Sequence, residues 1–313
     1  MNSQLFEELK LKYSLPLLDL LYEAQQIHRA NHVQNEIFVN SLINIKSGGC
    51  SENCSYCPQS VHNTAKVPVE KLMNNHEVLN KAKEALKNGA SRICLGAAWR
   101  EVRSNRDFDR ILEMIRDLSQ LNLEVCCTLG MINQKQAIQL KKAGLTAYNH
   151  NLDTSDTYYS EVISSREYED RINTLQHAGA AGLSLCSGGI IGMGESIDDR
   201  ISLIIALTKL THTPESVPIN LLVPVEGTPL QNQEPIPSWE LIRMIALTRI
   251  ALPKSRIRLS AGRNKLSHEA QTLCFLAGAN SVFLGKKLLT TENNCMEDDF
   301  QLFNALGLNL HKN

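Results

Sequence analysis

Three cysteines within eight residues, Cys50, Cys54 and Cys57, stand in the segment KSGGCSENCSYCPQS with the spacing C-x3-C-x2-C. Gly48 and Gly49 open the run and Pro58 closes it, so the segment forms a loop able to wrap one metal centre. Thiolates are soft ligands that select zinc or iron–sulfur clusters. A structural zinc site takes four protein ligands, usually from a second Cys or His pair. No such pair follows at close spacing, and His62 is the nearest single candidate. Three thiolates alone point to a 4Fe–4S cluster with one iron left open. A zinc-stabilised binding or scaffold protein is the alternative from another class.

Three further cysteines, Cys94, Cys126 and Cys186, fall in short apolar segments, and the elements that carry them decide what they can do. Strand patterns lie at 39–46, 92–98, 123–129, 147–153, 182–187, 217–223, 257–261 and 281–285. Helical spacings lie between them, such as Ile111, Leu112, Ile115 and Leu118. This alternation predicts an α/β fold of the (β/α)8 TIM type as a single unit over 1–313. Residues 1–36 form an N-terminal extension with one extra helix over 16–30, opened by Pro16. A doubly wound sheet lacks its fingerprint here, since neither G-x-G-x-x-G nor G-x-x-x-x-G-K-S/T occurs.

Strand side chains alternate between two faces. Ile93 and Leu95 take the helix-facing side, which sends Cys94 inward; Leu123, Val125 and Cys127 do the same and send Glu124, Cys126 and Thr128 inward. The same test puts Ser184, Cys186, Arg258, Ser260, Asn149, Asn151, Asp153 and Asn220 inward, and His150 outward. Barrel interiors are ordinarily packed with branched apolar residues. Polar groups buried without partners cost several kcal/mol each, so something polar must fill this barrel. Any one inward cysteine reads as a small core residue. Three thiolates plus one more donor would complete a 2Fe–2S cluster, although the usual set is four cysteines. The Gly-rich GGIIGMGE reads as a tight βα loop with backbone room for a cofactor. Cys274 reads as core and Cys295 as a bystander.

Composition narrows the partners. With 43% hydrophobic residues, 21% charged residues and a formal net charge of −1, intrinsic disorder is excluded. A near-neutral chain has no dominant attraction to nucleic acid or an anionic membrane surface. No apolar run approaches the roughly 20 residues that span a bilayer. The N-terminal MNSQLFEELKLKYS lacks a secretory apolar region, and nine cysteines is an odd count for a disulfide framework. The expectation is a cytoplasmic protein.

The string CSENCSYC resembles the signature of radical S-adenosylmethionine enzymes. Beyond it, NIKSGGC, YCPQS, LGAAWR, CTLG, YNHNLDTS, CSGGIIGMGE, ESVPINLLVPVEGTPL, RLSAGR and GANSVFLGKKLLTT occur in the same order as in the biotin synthase family. The resemblance implies that Cys50, Cys54 and Cys57 hold a 4Fe–4S cluster whose open iron chelates S-adenosylmethionine. It implies a second, 2Fe–2S cluster on Cys94, Cys126, Cys186 and Arg258. It implies that Tyr56 lies against the adenine, that Asn151 and Asp153 bind the ribose, and that Asn151 and Asn220 contact dethiobiotin. No side chain is assigned acid–base catalysis. The implied reaction inserts sulfur from the second cluster into dethiobiotin. A reduced flavodoxin-type electron donor, iron–sulfur assembly proteins and a second copy of the chain are the implied partners. Another radical S-adenosylmethionine enzyme with a second cluster is the alternative within the class.

The adjacent pair Cys126–Cys127 is a built-in control, because successive strand residues face opposite sides. Cys126→Ala is expected to lose the second cluster. Cys127→Ala should keep it, with a packing loss on the order of 1 kcal/mol. Sulfide content of the two variants checks this, and the opposite result would mean a register shift in this strand.

Overall fold

The computed structural model describes residues 2–311; Met1, Lys312 and Asn313 of the expected 1–313 unit lie outside the described residues. Helices α1 (Asn2–Tyr13) and α2 (Leu17–Asn31) lead into β1 (Glu36–Lys46), α3 (Asn75–Lys87), β2 (Arg92–Ala97), α4 (Arg106–Leu118), β3 (Glu124–Thr128) and α5 (Gln134–Lys142). There follow β4 (Ala147–Asn149), α6 (Asp156–Val162), α7 (Tyr168–Ala180), β5 (Ser184–Cys186), β6 (Gly189–Ile191), α8 (Ile197–Thr208), β7 (Ser216–Leu221) and α9 (Ser238–Ala251). The chain continues through β8 (Arg256–Leu259), α10 (His268–Leu276), β9 (Ser281–Leu284), the hairpin β10 (Lys287–Leu288) and β11 (Thr291–Glu292), α11 (Met296–Leu306) and β12 (Asn309–Leu310). Parallel pairing runs β1-β2-β3-β4-β5-β7-β8-β9, and β9 returns to β1 to close the (β/α)8 barrel.

Local chemistry starts the helices. The side chains of Asn74, Asn105, Asn133, Ser155, Ser196 and Ser267 each accept a first-turn backbone N–H. In α4, Phe108, Ile111, Leu112, Ile115 and Leu118 are buried and join Ile93 and Leu95 of β2 in the core between barrel and helices. The inner face of the barrel is different. At its floor Arg92 pairs with Glu124 at 2.7 Å and Glu215 at 2.9 Å. Arg256 closes the ring with 2.9 Å contacts to the same two carboxylates. Burial pushes Glu124 up, but Arg92 and Arg256 outweigh it and hold the carboxyl below its usual range. Glu124 was expected inward; its partner Arg92 shares the parity of Cys94 and was missed.

Three elements differ from the sequence expectation. The strand expected over 147–153 ends at Asn149, and Asp153 takes a left-handed φ of 68°. The segment expected as a loop after Cys186 contains β6, whose Gly189–Ile191 pairs with Ile219, Asn220 and Leu221. At Gly188 a Cβ would sit 2.0 Å from the Pro218 carbonyl oxygen, so only glycine lets the chain kink this close to β7 and resume pairing. The N-terminal extension has two helices rather than one: α1 packs on α8 and α9, and α2 on α9 and α10.

The α2 docking carries a pH dependence. Burial, then the Arg249 charge, lowers His28 to about 3 and His32 to about 4. The unfolded chain therefore binds protons below about pH 6.5 that the folded chain refuses. Stability should be fully present above pH 6.5 and fall as pH drops toward 4. Urea midpoints at pH 7 and pH 5 check this, with a smaller drop expected in His28→Leu; equal drops would refute it.

Candidate active site

The cysteine loop leaves the end of β1 through Gly48, whose φ is 64° and whose Cβ would meet the Pro68 carbonyl oxygen at 2.7 Å. Cys50 donates its N–H to the Gln59 carbonyl at 3.0 Å, and Val61 N–H donates to the Cys50 carbonyl at 2.8 Å. The Asn63 side chain donates to the carbonyls of Cys54 and Cys57 at 3.1 and 2.7 Å, pinning the second half of the loop. Cys54 is buried, while Cys50 and Cys57 are half-buried. Burial pushes Cys50 up, Cys54 to about 11 and Cys57 to about 12. Bound metal would reverse this, since a coordinating thiol is deprotonated outright. Among the described residues no three His, Cys, Asp or Glu side chains converge as one metal ion requires. A cubane places each thiolate on a separate iron and does not need that convergence.

Deeper in the barrel, Cys94 and Cys126 are register partners on β2 and β3, and Cys186 is the partner of Asn149 on the next pair of strands. Cys94 and Cys126 belong to an inner cluster with Ala147, Phe283 and Leu288, whereas Cys127 packs in the core outside the barrel. The neighbouring Cys126 pulls Cys94 down against the opposing effect of burial, with help from Arg258 and Arg92, while Cys126 is raised. Arg258 is 2% exposed. It reaches the Cys186 sulfur at 3.7 Å, Ser216 at 3.0 Å and Ser281 at 3.3 Å, and its guanidinium lies 4.6 Å from the Phe283 ring. Among the described residues no carboxylate pairs with it. A buried cation bonded to a thiol and without a carboxylate partner is suited to an anionic group beside it.

A cavity of about 320 Å³ joins the two thiol sets, with Cys57, Cys94, Asn151, Asp153, Asn220 and Arg258 in its wall. Asn149 Oδ1 and His150 Nε2 are buried without hydrogen-bond partners in the same wall, so it has polar capacity to spare. His150, expected to face outward, is buried at this wall and held well below its usual pKa by burial, then by Arg166 and Arg171. Asn220 is already tied to its neighbours, donating to Gly189 O at 3.0 Å and accepting from Ala261 N at 3.2 Å. Asn151 Oδ1 accepts from Gly188 N at 3.2 Å. Because β4 stops early, loop geometry rather than strand parity directs Asn151 and Asp153: Asp153 N–H donates to Gly188 O at 3.1 Å and Ile190 N–H to Asp153 O at 2.8 Å. The Asp153 carboxylate accepts from Tyr56 at 2.5 Å and pairs with Arg171 at 2.5 Å. A lone arginine in helix α7 carried no signal in sequence, so Arg171 was missed. A larger cleft of about 920 Å³ between α3 and the β10–β11 hairpin contains none of the cysteines.

The profile of the Radical SAM superfamily matches residues 44–206, and that of the Biotin and Thiamin Synthesis associated domain matches 218–309. The solved structure of methylornithine synthase superposes with a TM-score of 0.83 at 19% identity, covering 98% of this chain and 94% of that one. Fold and profile together define a radical S-adenosylmethionine barrel enzyme. Mitochondrial biotin synthase of Arabidopsis thaliana is 53% identical over 303 residues, 96% of this chain and 80% of that protein. Biotin synthase of Cytophaga hutchinsonii is 52% identical over 307 residues, 98% and 91% of the two chains. The chain belongs to the biotin synthase family and is an enzyme of biotin biosynthesis. A 4Fe–4S cluster and S-adenosylmethionine come with that membership.

Asp153 and Arg171 are each 4% exposed, so breaking their pair strands a buried charge. Asp153→Asn is expected to cost about 3 kcal/mol, as is Arg171→Met. The double variant should lose clearly less than the two singles together. Urea midpoints of the four proteins check this, and additive losses would show that the two residues are not coupled.

Proposed function

We propose that this barrel inserts sulfur into dethiobiotin with S-adenosylmethionine as the radical source. In this reading Cys50, Cys54 and Cys57 hold the 4Fe–4S cluster, and Cys94, Cys126, Cys186 and Arg258 hold a 2Fe–2S cluster. The observation that carries it is Arg258, a buried arginine without a carboxylate, bonded to Cys186 inside the barrel. The first cluster, when bound, supplies an electron to the sulfonium, and the second supplies the sulfur. A C–H bond without acidity does not open to a side-chain base, so the cofactors carry that step.

The chain's own residues bind, orient and exclude water. Asp153 can accept the two hydroxyls of a ribose, with Arg171 pairing with the carboxylate and Tyr56 fixing its orientation. Tyr56 presents its ring from between Cys54 and Cys57. The amide hydrogens that Asn151 and Asn220 keep beyond their bonds to Gly188, Gly189 and Ala261 suit a polar ring such as the ureido group of dethiobiotin. Substrate and cofactor filling this half-open cavity would displace water from a reactive intermediate. The whole chain acts as one barrel unit with residues 1–36 as its extension, a reading supported by closure of β1 on β9. A reduced flavodoxin-type electron donor, iron–sulfur assembly proteins, a homodimer and a cytoplasmic location complete the proposal. The resemblance in sequence supports these. No helix among the described residues is long and apolar enough to cross a membrane.

Iron and sulfide analysis of the anaerobically purified chain tests the reading, and bound zinc without sulfide would overturn it. Cys54→Ala should lose the 4Fe–4S cluster and with it formation of 5′-deoxyadenosine. Wild-type rates in that variant would exclude Cys54 as a ligand.

A further inference from the structure

We propose that Glu52 is a positioning residue for the 4Fe–4S cluster, clamping the cysteine loop to the turn between α6 and α7 and setting the charge that the cluster feels. The proposal rests on the cluster being held by Cys50, Cys54 and Cys57. A carboxylate between two cysteines of a surface loop is ordinarily solvated. Glu52 is instead 3% exposed. Its Oε1 lies 3.5 Å from Arg100 Nε and 3.5 Å from Arg166 Nε without a direct hydrogen bond to either, and its Oε2 accepts from Ser165 Oγ.

Asn53 continues the contact. Its Oδ1 accepts the N–H groups of Ser164 and Ser165 at 3.0 and 3.1 Å, and its Nδ2 donates to Ser164 Oγ at 2.7 Å. Asn53 N–H donates to Ser165 Oγ at 3.1 Å, and Ser55 N–H to Val162 O at 2.9 Å. Between Cys50 and Tyr56, the Glu52 side chain, Asn53 and the Ser55 backbone are thus committed to one turn, while Ser51 is exposed. Arg100 secures the same turn by donating to Ser165 O at 2.6 Å.

The charge arrangement is as specific as the docking. Arg100 and Arg166 against the one carboxylate of Glu52 give this clamp a net positive charge. Arg166 NH1 is buried without a partner. Cluster potential follows local net charge and hydrogen bonding. Glu52 offsets part of the arginine field, so its removal leaves the added electron better stabilised.

The test uses the full chain, reconstituted anaerobically, with circular dichroism for the fold, iron and sulfide counts, and redox titration of the 4Fe–4S signal. Glu52→Gln is expected to shift the potential positive, on the order of tenfold in the reduction equilibrium, or about 59 mV for one electron. Arg100→Gln should shift it negative. Asn53→Ala should leave the potential in place and lose iron to a chelator several-fold faster. Opposite shifts from Glu52→Gln and Arg100→Gln support the clamp, because a merely structural role gives no such pair of signs. Loaded variants with wild-type potential and chelator resistance would overturn it. Failure of the wild-type chain to take up a 4Fe–4S cluster would overturn the cluster assignment first, and the clamp with it.

Discussion

A closed parallel barrel gives each strand residue one of two sides, and here the inner side is committed to charge, amide and thiol. That commitment leaves only part of the apolar filling that usually holds a barrel together, around Ala147, Phe283 and Leu288. The interior must be balanced group by group. At the floor this balance is internal: Arg92 and Arg256 meet Glu124 and Glu215 in a ring of four alternating charges. One layer higher, the parity that places Arg92 and Glu124 brings Cys94 and Cys126 side by side in register. There the balance is incomplete, because Arg258 finds serines and a sulfur and no carboxylate.

The rim depends on the same accounting. Asp153 leaves the strand pattern in a left-handed conformation, a setting that Asp tolerates better than most residues. Asp153 then joins three elements: its carboxylate reaches Tyr56 in the cysteine loop and Arg171 in α7, and its backbone reaches β6. The loop that carries the thiols is thus tied to the wall that would hold the cofactor. A disturbance at Arg171 reaches the cysteine loop through two contacts, without touching a thiol.

The two profiles meet between residues 206 and 218, yet neither part is complete alone. Cys94, Cys126 and Cys186 belong to the first and Arg258 to the second. The floor divides likewise, with Arg92 and Glu124 on one side and Arg256 on the other. The polar interior exists only when β1 closes on β9. Folding of the two parts is therefore linked by charge as well as by backbone pairing.

What sequence alone determined is what short-range periodicity controls. Alternation separates Cys126 from Cys127, and the structure puts the first in the inner cluster and the second in the outer core. The cysteine triplet lies within eight residues, so it was legible; the caps Asn74 and Ser196 act within three residues and are local in the same way. Tertiary structure alone decided the contacts between distant positions. Glu52 reaches across 113 residues to Ser165, and Arg92 across 123 to Glu215. No spacing rule links such pairs. The strand rule also failed where its premise ended. Beyond Asn149 the backbone turns, and Asn151, Asp153 and β6 take their places from the close approach of Gly188 to Pro218 rather than from alternation. Periodicity acts only along a continuous element, whereas burial and ion pairing are set by which elements the closed barrel brings together.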